Sequence, residues 1–271
     1  MTTVDLTLES ADGTGGGRPV ERDQVVRLAG VSKVFGHGPD RTVALDDITL
    51  EAARGEFVCV VGASGCGKST MLNLIAGLDQ PSLGSVEVTA TPALMFQDAA
   101  LFPWLDVVEN IELPMRLAGV ARAERRERAE ALLETVHLGG QGRRRPHELS
   151  GGMRQRVALA RSLAQDADLL LMDEPFGALD AMTRDLLHDE LERLWATTNA
   201  TVVFVTHNVR EAARLADRIV LLTSRPGRVA ETFPVDLPRP RRIDSPELAS
   251  FAATVTDRLR QEVRRHGRQG N

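Results

Sequence analysis

The nine residues Gly62-Ala63-Ser64-Gly65-Cys66-Gly67-Lys68-Ser69-Thr70 fit the phosphate-binding pattern G-x-x-x-x-G-K-[S/T] without a mismatch. Glycines let a backbone curl so that successive N–H groups face one anion, and a following helix N-terminus adds its dipole. In that chemistry Lys68 reaches the β- and γ-phosphates and the Ser69 hydroxyl coordinates Mg²⁺. A second constellation ends an apolar run, Leu169-Leu170-Leu171-Met172-Asp173-Glu174. Side chains alternate along a strand, so the two carboxylates face different ways. That suits a division of labour in which Asp173 binds Mg²⁺, directly or through water, and Glu174 polarises an attacking water.

Elements must hold these residues. Phe57-Val58-Cys59-Val60-Val61 reads as a buried strand entering the loop, and Met71-Leu72-Asn73-Leu74-Ile75-Ala76 as the first turns of a helix leaving it. Val25–Leu28 and Ala44–Leu50 read as antiparallel strands. Ala93–Phe96, Leu169–Met172 and Thr201–Val205 are short apolar runs separated by helical segments, which predicts a buried, largely parallel sheet. Ala123–Leu138 reads as a charged helix with a Glu124/Arg128 pair on a solvated face. Asp180–Trp195 reads as another, with Leu186, Leu187, Leu191 and Leu194 on one side. After Pro234 the chain turns Pro- and Arg-rich, and a last amphipathic helix is expected from Ser245 to about Arg265.

Composition narrows the class. A chain of 271 residues with 42% hydrophobic content can bury a substantial core. A net charge of −5 argues against a general nucleic-acid binder. The only cysteines are Cys59 and Cys66, both near the loop, so no disulfide framework is expected and the compartment reads as reducing. No apolar run approaches the ~18–20 residues of a membrane span, and the N-terminus lacks a signal-peptide pattern. A cytoplasmic protein, or one docked on a membrane from the cytoplasmic side, is expected. Residues 1–24, with Gly13-Thr14-Gly15-Gly16-Gly17, read as a disordered tail. Lys33 and Lys68 are the only lysines, so an ammonium stands at the loop where arginine is used elsewhere.

Leu149-Ser150-Gly151-Gly152-Met153-Arg154-Gln155-Arg156 decides the family resemblance. Ser150 can cap a following helix, and the two glycines leave the backbone open to a phosphate. This segment resembles the signature motif of ATP-binding cassette (ABC) ATPases. Other family motifs follow in order. Gln97 resembles the glutamine that senses Mg²⁺ and the γ-phosphate. Ala178-Leu179-Asp180 resembles the D-loop, His207 the switch histidine at the γ-phosphate, and Phe35 the aromatic that stacks on adenine. The resemblance covers about residues 25–230. It implies an α/β P-loop NTPase cassette with a mostly parallel core sheet, an antiparallel β subdomain and an α-helical signature subdomain near 98–165. Residues 25–245 would form the ATP-binding domain, followed by a basic helix or tail over 246–271 that carries Arg258, Arg260, Arg264, Arg265 and Arg268.

The resemblance also implies a mechanism that one chain cannot perform alone. Ser150, Gly151 and Gly152 would contact the γ-phosphate held by a second cassette, so that two copies sandwich two ATP molecules. Lys68, Mg²⁺ and the partner's helix N-terminus would supply positive charge. Glu174 and His207 would order the water. With no membrane segment, a transporter of this family needs two separate permease subunits and, for import, an extracytoplasmic solute-binding protein. Leu101, Phe102 and Trp104 form an apolar cluster just past Gln97, read either as the dock for a permease coupling helix or as core of the helical subdomain. Met95-Phe96-Gln97-Asp98-Ala99 and the short stretch from Gly84 to Leu94 are most similar to the aliphatic sulfonate importer ATPases. Leu105–Ile111 also fits the nitrate and taurine groups. Rival classes lack support: no long coiled coil for a DNA-repair ATPase, no second cassette for a ribosome-acting member, and a signature motif that a small-molecule kinase would not carry. An exporter remains a weaker alternative.

Overall fold

The computed structural model describes residues 23–267. Two long strands lead, β1 (Gln24–Phe35) and β2 (Thr42–Ala53), paired antiparallel from Gln24↔Ala53 to Phe35↔Thr42. Both outrun the short segments expected from the sequence. Their ladder is irregular between Leu28 and Val31 and again between Val31 and Lys33. Such bulges break the strict alternation that marks a strand in sequence. β1 also reaches into the segment expected as tail: Gln24 is already paired, and Asp23 is tied to Arg54 by a 2.7 Å ion pair and by the Arg54 N–H at 2.8 Å. The rest of that segment, and Arg268, lie outside the described residues.

β3 (Phe57–Val61) is buried at every position, as a strand covered on both faces must be. It runs through the phosphate loop into α1 (Lys68–Ile75). β4 (Leu83–Val88) pairs antiparallel with the other edge of β1, giving a three-stranded layer ordered β2-β1-β4. β5 (Pro92–Met95) opens the second sheet. Then α2 (Val107–Leu117), α3 (Arg122–Thr135) and α4 (Gly151–Leu163) pack against one another over the segment expected as helical. α2 starts with a reciprocal capping box between Asp106 and Glu109. On α3, Arg128 binds Asp166 more closely than its helical neighbour Glu124.

The chain continues through β6 (Leu169–Asp173), α5 (Ala181–Thr198), β7 (Thr201–Thr206), α6 (Val209–Leu215), β8 (Arg218–Leu222), β9 (Val229–Pro234) and α7 (Pro246–Gly267). The second sheet is ordered β5-β6-β7-β3-β8-β9 and is parallel except for β9. Alternation along β3 divides two cores. Phe57, Cys59 and Val61 join the core beneath α2 to α7, whereas Val58 and Val60 face α1, β1 and β2. Leu187 and Leu191 of α5 are buried, but Leu186 is 46% exposed and leaves the expected stripe. Adjacent helical residues point about 100° apart, so Leu186 and Leu187 cannot share the centre of one face. α7 buries Leu248, Ala252 and Val255 in the same core as the sheet. Three of its arginines are matched: Arg258 pairs with Glu231 and Glu262, Arg260 with Asp257, and Arg265 with Glu262.

Register puts the chemistry on one edge. Val61 lies opposite Thr206 in the β3–β7 ladder, and Asp173 opposite Val205 in the β6–β7 ladder. Three parallel strands therefore end together, and the phosphate loop, Glu174 and His207 each follow one of them. This carboxyl edge is where open α/β sheets bind ligands.

Candidate nucleotide site

The phosphate loop is built from backbone constraints. Gly67, the N-cap of α1, has φ 98°. A Cβ there would stand 2.5 Å from Leu45 Cδ2 and 2.8 Å from the Ala44 carbonyl oxygen, so only glycine fits. Lys68 is 6% exposed, and its Nζ donates to the carbonyls of Gly62 at 2.9 Å and Ala63 at 3.1 Å. These bonds hold the ammonium against the loop. Cys66 contributes its backbone to the loop while its thiol is buried beneath Gly62, and burial pushes that thiol's pKa up. A buried thiol of raised pKa is a poor nucleophile.

Phe35, Ser64, Gly65, Lys68, Ser69 and Thr70 line one cavity of about 230 Å³, joined by Gln97 and Glu174. Phe35 is 45% exposed at the end of β1, with Lys33 Nζ 5.0 Å from its ring centroid. Asp173 is buried and its pKa is raised by desolvation, against an opposing hydrogen bond from the Ser69 hydroxyl. Glu174 adopts φ 47°, a left-handed backbone that branches the chain out of β6. Its N–H still donates to the Val205 carbonyl at 2.9 Å, and its Oε2 lies 3.0 Å from His207 Nδ1. The two residues expected to order water thus touch each other at the mouth of the site.

Ser150, Gly151 and Gly152 are elsewhere. Ser150 caps α4 by accepting the Met153 N–H at 3.2 Å, and none of the three lines the cavity. Gly152 sits against the Ala178–Asp180 segment, where a Cβ would come within 3.1 Å of Leu179 and 3.2 Å of the Ala178 carbonyl.

Known proteins share this arrangement. The ABC transporter family profile matches residues 45–177. An uncharacterized ABC transporter ATP-binding protein of Methanocaldococcus jannaschii is 44% identical over 246 residues, 88% of this chain and 92% of that protein. The chain belongs to the ABC transporter ATP-binding family. An aliphatic sulfonates import ATP-binding protein of Burkholderia lata is 48% identical over 253 residues, 91% of this chain and 74% of the relative. An ATP-binding cassette solved as a dimer in a post-hydrolysis state, with ADP and Pi bound, superposes with a TM-score of 0.74 at 34% identity. That match covers 78% of this chain and 99% of the other. As an ABC cassette, the chain is an ATP-binding subunit of a family that couples ATP hydrolysis to transport. Among the described residues no helix is long and apolar enough to cross a membrane.

The magnesium ion that such ATPases use finds suitable residues here. Asp173 Oδ1 is buried and has no hydrogen-bond partner, and the Ser69 hydroxyl adjoins the same carboxylate. No group of three or more His, Cys, Asp or Glu side chains forms a metal cage among the described residues. One carboxylate and one hydroxyl suit Mg²⁺, which keeps waters and takes its remaining ligands from phosphates.

Two residues of this cassette were not singled out from sequence. Arg225 lines the nucleotide cavity, with its Nε 3.4 Å from the Gly65 carbonyl. Its loop is pinned to β2 by the Gly227 N–H to Ala44 at 2.9 Å and the Asp46 N–H to Gly227 at 2.9 Å. Gln155, buried in α4, directs its amide toward the backbone carbonyls of Gln97 at 3.5 Å and Glu174 at 3.3 Å. Its place five residues after Ser150 was the available signal, but helical spacing does not reveal which loops a helix touches.

Proposed function

We propose that this cassette is the ATP-hydrolysing, energy-coupling subunit of an importer for aliphatic sulfonates, working as a dimer at the cytoplasmic face of the cell membrane. The 48% identity to the Burkholderia lata sulfonate-import protein, across 91% of this chain, carries the cargo reading. In the mechanism Phe35 stacks on adenine and the loop amides with Lys68 grip the phosphates. Ser69 and Asp173, with Gln97, would hold Mg²⁺, which would neutralise phosphate charge. Glu174 accepts a proton from the attacking water, and His207 orients that carboxylate and the γ-phosphate. Ser150, Gly151 and Gly152 close the site of the partner copy.

Two permease subunits complete the assembly, and an extracytoplasmic binding protein delivers the cargo. Phe102 and Trp104 are proposed as the permease dock. Their rings lie 5.4 Å apart and are 36% and 66% exposed, whereas Leu101 packs against the core. A carboxylate at Phe102 would have to shed its water on docking, with only the Arg161 guanidinium, 5.9 Å from the present ring centroid, near enough to compensate. Phe102→Asp should therefore spare ATPase activity of the isolated chain and lose co-purification of the permease. Cargo is tested by disrupting the gene and supplying alkanesulfonate, taurine or nitrate as sole sulfur or nitrogen source. Loss of growth on alkanesulfonate alone supports the reading. Loss on nitrate or taurine reassigns the importer, and unchanged growth on all three removes import of these compounds.

A further inference from the structure

Behind the Glu174–His207 pair lies a buried polar chain that the mechanism above does not use. His188 of α5 is fully buried, Glu211 of α6 is 4% exposed and Thr206 at the end of β7 is 2% exposed. Arg214 Nη1 is 3.5 Å from His188 Nδ1 and can only donate there, so the proton of a neutral ring resides on Nε2. His188 Nε2–H then donates to Glu211 Oε1 at 2.9 Å. The other carboxylate oxygen, Oε2, accepts the Thr206 hydroxyl proton in a short bond, and the Thr206 oxygen in turn accepts the Asn208 N–H at 3.0 Å. Asn208 caps α6 by accepting the N–H groups of Arg210 at 3.1 Å and Glu211 at 3.4 Å.

His207 sits between two residues fixed by this chain. Its own side chain is 65% exposed and makes one hydrogen bond among the described residues, to Glu174. Beyond that contact, the direction of the ring depends on how its backbone is held. The same histidine of α5 supports the other partner. Phe176, two residues past Glu174, packs edge-on against His188 with centroids 4.9 Å apart at 77°. Arg184 of α5 donates to the Phe176 carbonyl at 3.3 Å. α5 begins at Asp180, whose side chain caps it through the Thr183 N–H at 2.9 Å.

We infer that His188, Glu211 and Thr206 are positioning residues that hold His207 on Glu174 and tie this pair to the helix that begins at the Ala178–Asp180 segment. The inference rests on the reading of Glu174 and His207 as the hydrolytic pair. His188, Glu211 and Thr206 have their buried polar atoms bonded, although Arg214 Nε has no partner, and the members of such a hydrogen-bonded chain act as a unit. Movement of α5 would reach both members of the pair through one imidazole.

Thr206→Val tests it in the full-length chain, since valine keeps the shape and the β preference and removes only the hydroxyl. ATP turnover per bound nucleotide should fall about tenfold while KM for ATP stays within about twofold, the split expected when positioning rather than binding is lost. Thr206→Ser should restore turnover to within about twofold of the parent. Glu211→Gln offers an independent variant, because His188 and Thr206 donate to different carboxylate oxygens and the substitution turns one of these into an NH2 that cannot accept. It should show the same kcat loss at constant KM. A merely structural role would lower Tm and the yield of nucleotide-binding protein but leave turnover per bound nucleotide unchanged, and that result in both variants overturns the inference. Glu174→Gln is the control. If it hydrolyses ATP normally, the reading of the pair fails. If it is inactive while Thr206→Val and Glu211→Gln turn over normally, only the positioning inference fails.

Discussion

The phosphate loop and the Ser150–Gly152 segment both end in a helix N-terminus lined by small residues, yet the molecule treats them differently. The loop closes on itself: Lys68 is buried and doubly bonded to Gly62 and Ala63, and Phe35, Ser69, Gln97 and Glu174 face the same cavity. The signature segment has no such company. Ser150 bonds only its own helix, and Ser150 and Gly151 are exposed. One chain therefore builds a nucleotide-holding half from its own residues and presents a second half with nothing of its own to hold. In the proposed dimer the signature segment of each copy would complete the holding half of the other, the reciprocal contact of a two-fold pair.

The sharpest way to break that contrast is Glu174→Gln. The amide oxygen can still accept from His207 Nδ1 at the present 3.0 Å geometry, so the fold of the site persists. Only the base is lost, which typically costs ~10²–10⁴ in rate. ATP binding should remain, and an ATP-trapped dimer should appear by size exclusion. Ser150→Arg attacks the other half. Each monomer should bind ATP, but hydrolysis should stop, because the bulky cation would meet the partner's γ-phosphate. Lys68→Ala should remove most nucleotide affinity. Mixing the Ser150→Arg and Lys68→Ala chains should restore one working site per heterodimer. Hydrolysis that is independent of dilution and indifferent to Ser150→Arg would show that one chain suffices.

How legible each half was from sequence follows from whether its contacts are local. The turn of the loop, the Ser150 cap and the buried runs of β3, β5, β6 and β7 are legible because each depends on neighbours within a few residues. β4 was not identified: Leu83 is 67% exposed and most of its side chains are exposed on an edge, so it lacks an apolar signature. β8, in contrast, is an apolar run from Ile219 to Leu222 that carries no motif, and it went unread for that reason. Glu174 and His207 could be named individually, but their 3.0 Å contact spans 33 residues and depends on the β6–β7 register. Arg225 reaches Gly65 across 160 residues, and Gln155 reaches Gln97 across 58. The aromatic cluster divided, with Leu101 in the core and Trp104 outside, because Asn110 bonds the Phe102 backbone and turns the chain between them.

Phe35→Ala sharpens the account of the holding half with a milder effect. Removing one base–aromatic stack costs about 1–3 kcal/mol. Nucleotide affinity should fall about tenfold or more by titration, with turnover at saturating ATP largely retained. Unchanged affinity would place the adenine elsewhere in the cavity, with the Arg225 guanidinium the next surface able to stack on it.

The smallest effect concerns the cost of keeping the holding half ready. Burial raises the Asp173 pKa above its ordinary 3.8, so the folded chain without nucleotide disfavours the charge that Mg²⁺ requires. A carboxyl whose folded pKa is raised binds its proton more tightly in the native state than in the unfolded one. It therefore destabilises the fold when ionised, and the penalty is fully present above the raised folded value. Asp173→Asn removes that charge while leaving an oxygen near the Ser69 hydroxyl. At neutral pH the variant should melt a few degrees above the parent by calorimetry, in the absence of nucleotide and metal. The difference should shrink as pH falls through the raised value and vanish below 3.8, where the carboxyl is protonated in the folded and the unfolded chain alike. The signature half has no buried charge of this kind, so Ser150→Ala should show the opposite sign: loss of a helix cap lowers stability by about 1 kcal/mol. A lower Tm for Asp173→Asn at neutral pH would mean that Asp173 is stabilised by partners in the free chain, and that its unbonded oxygen is not held open for a metal.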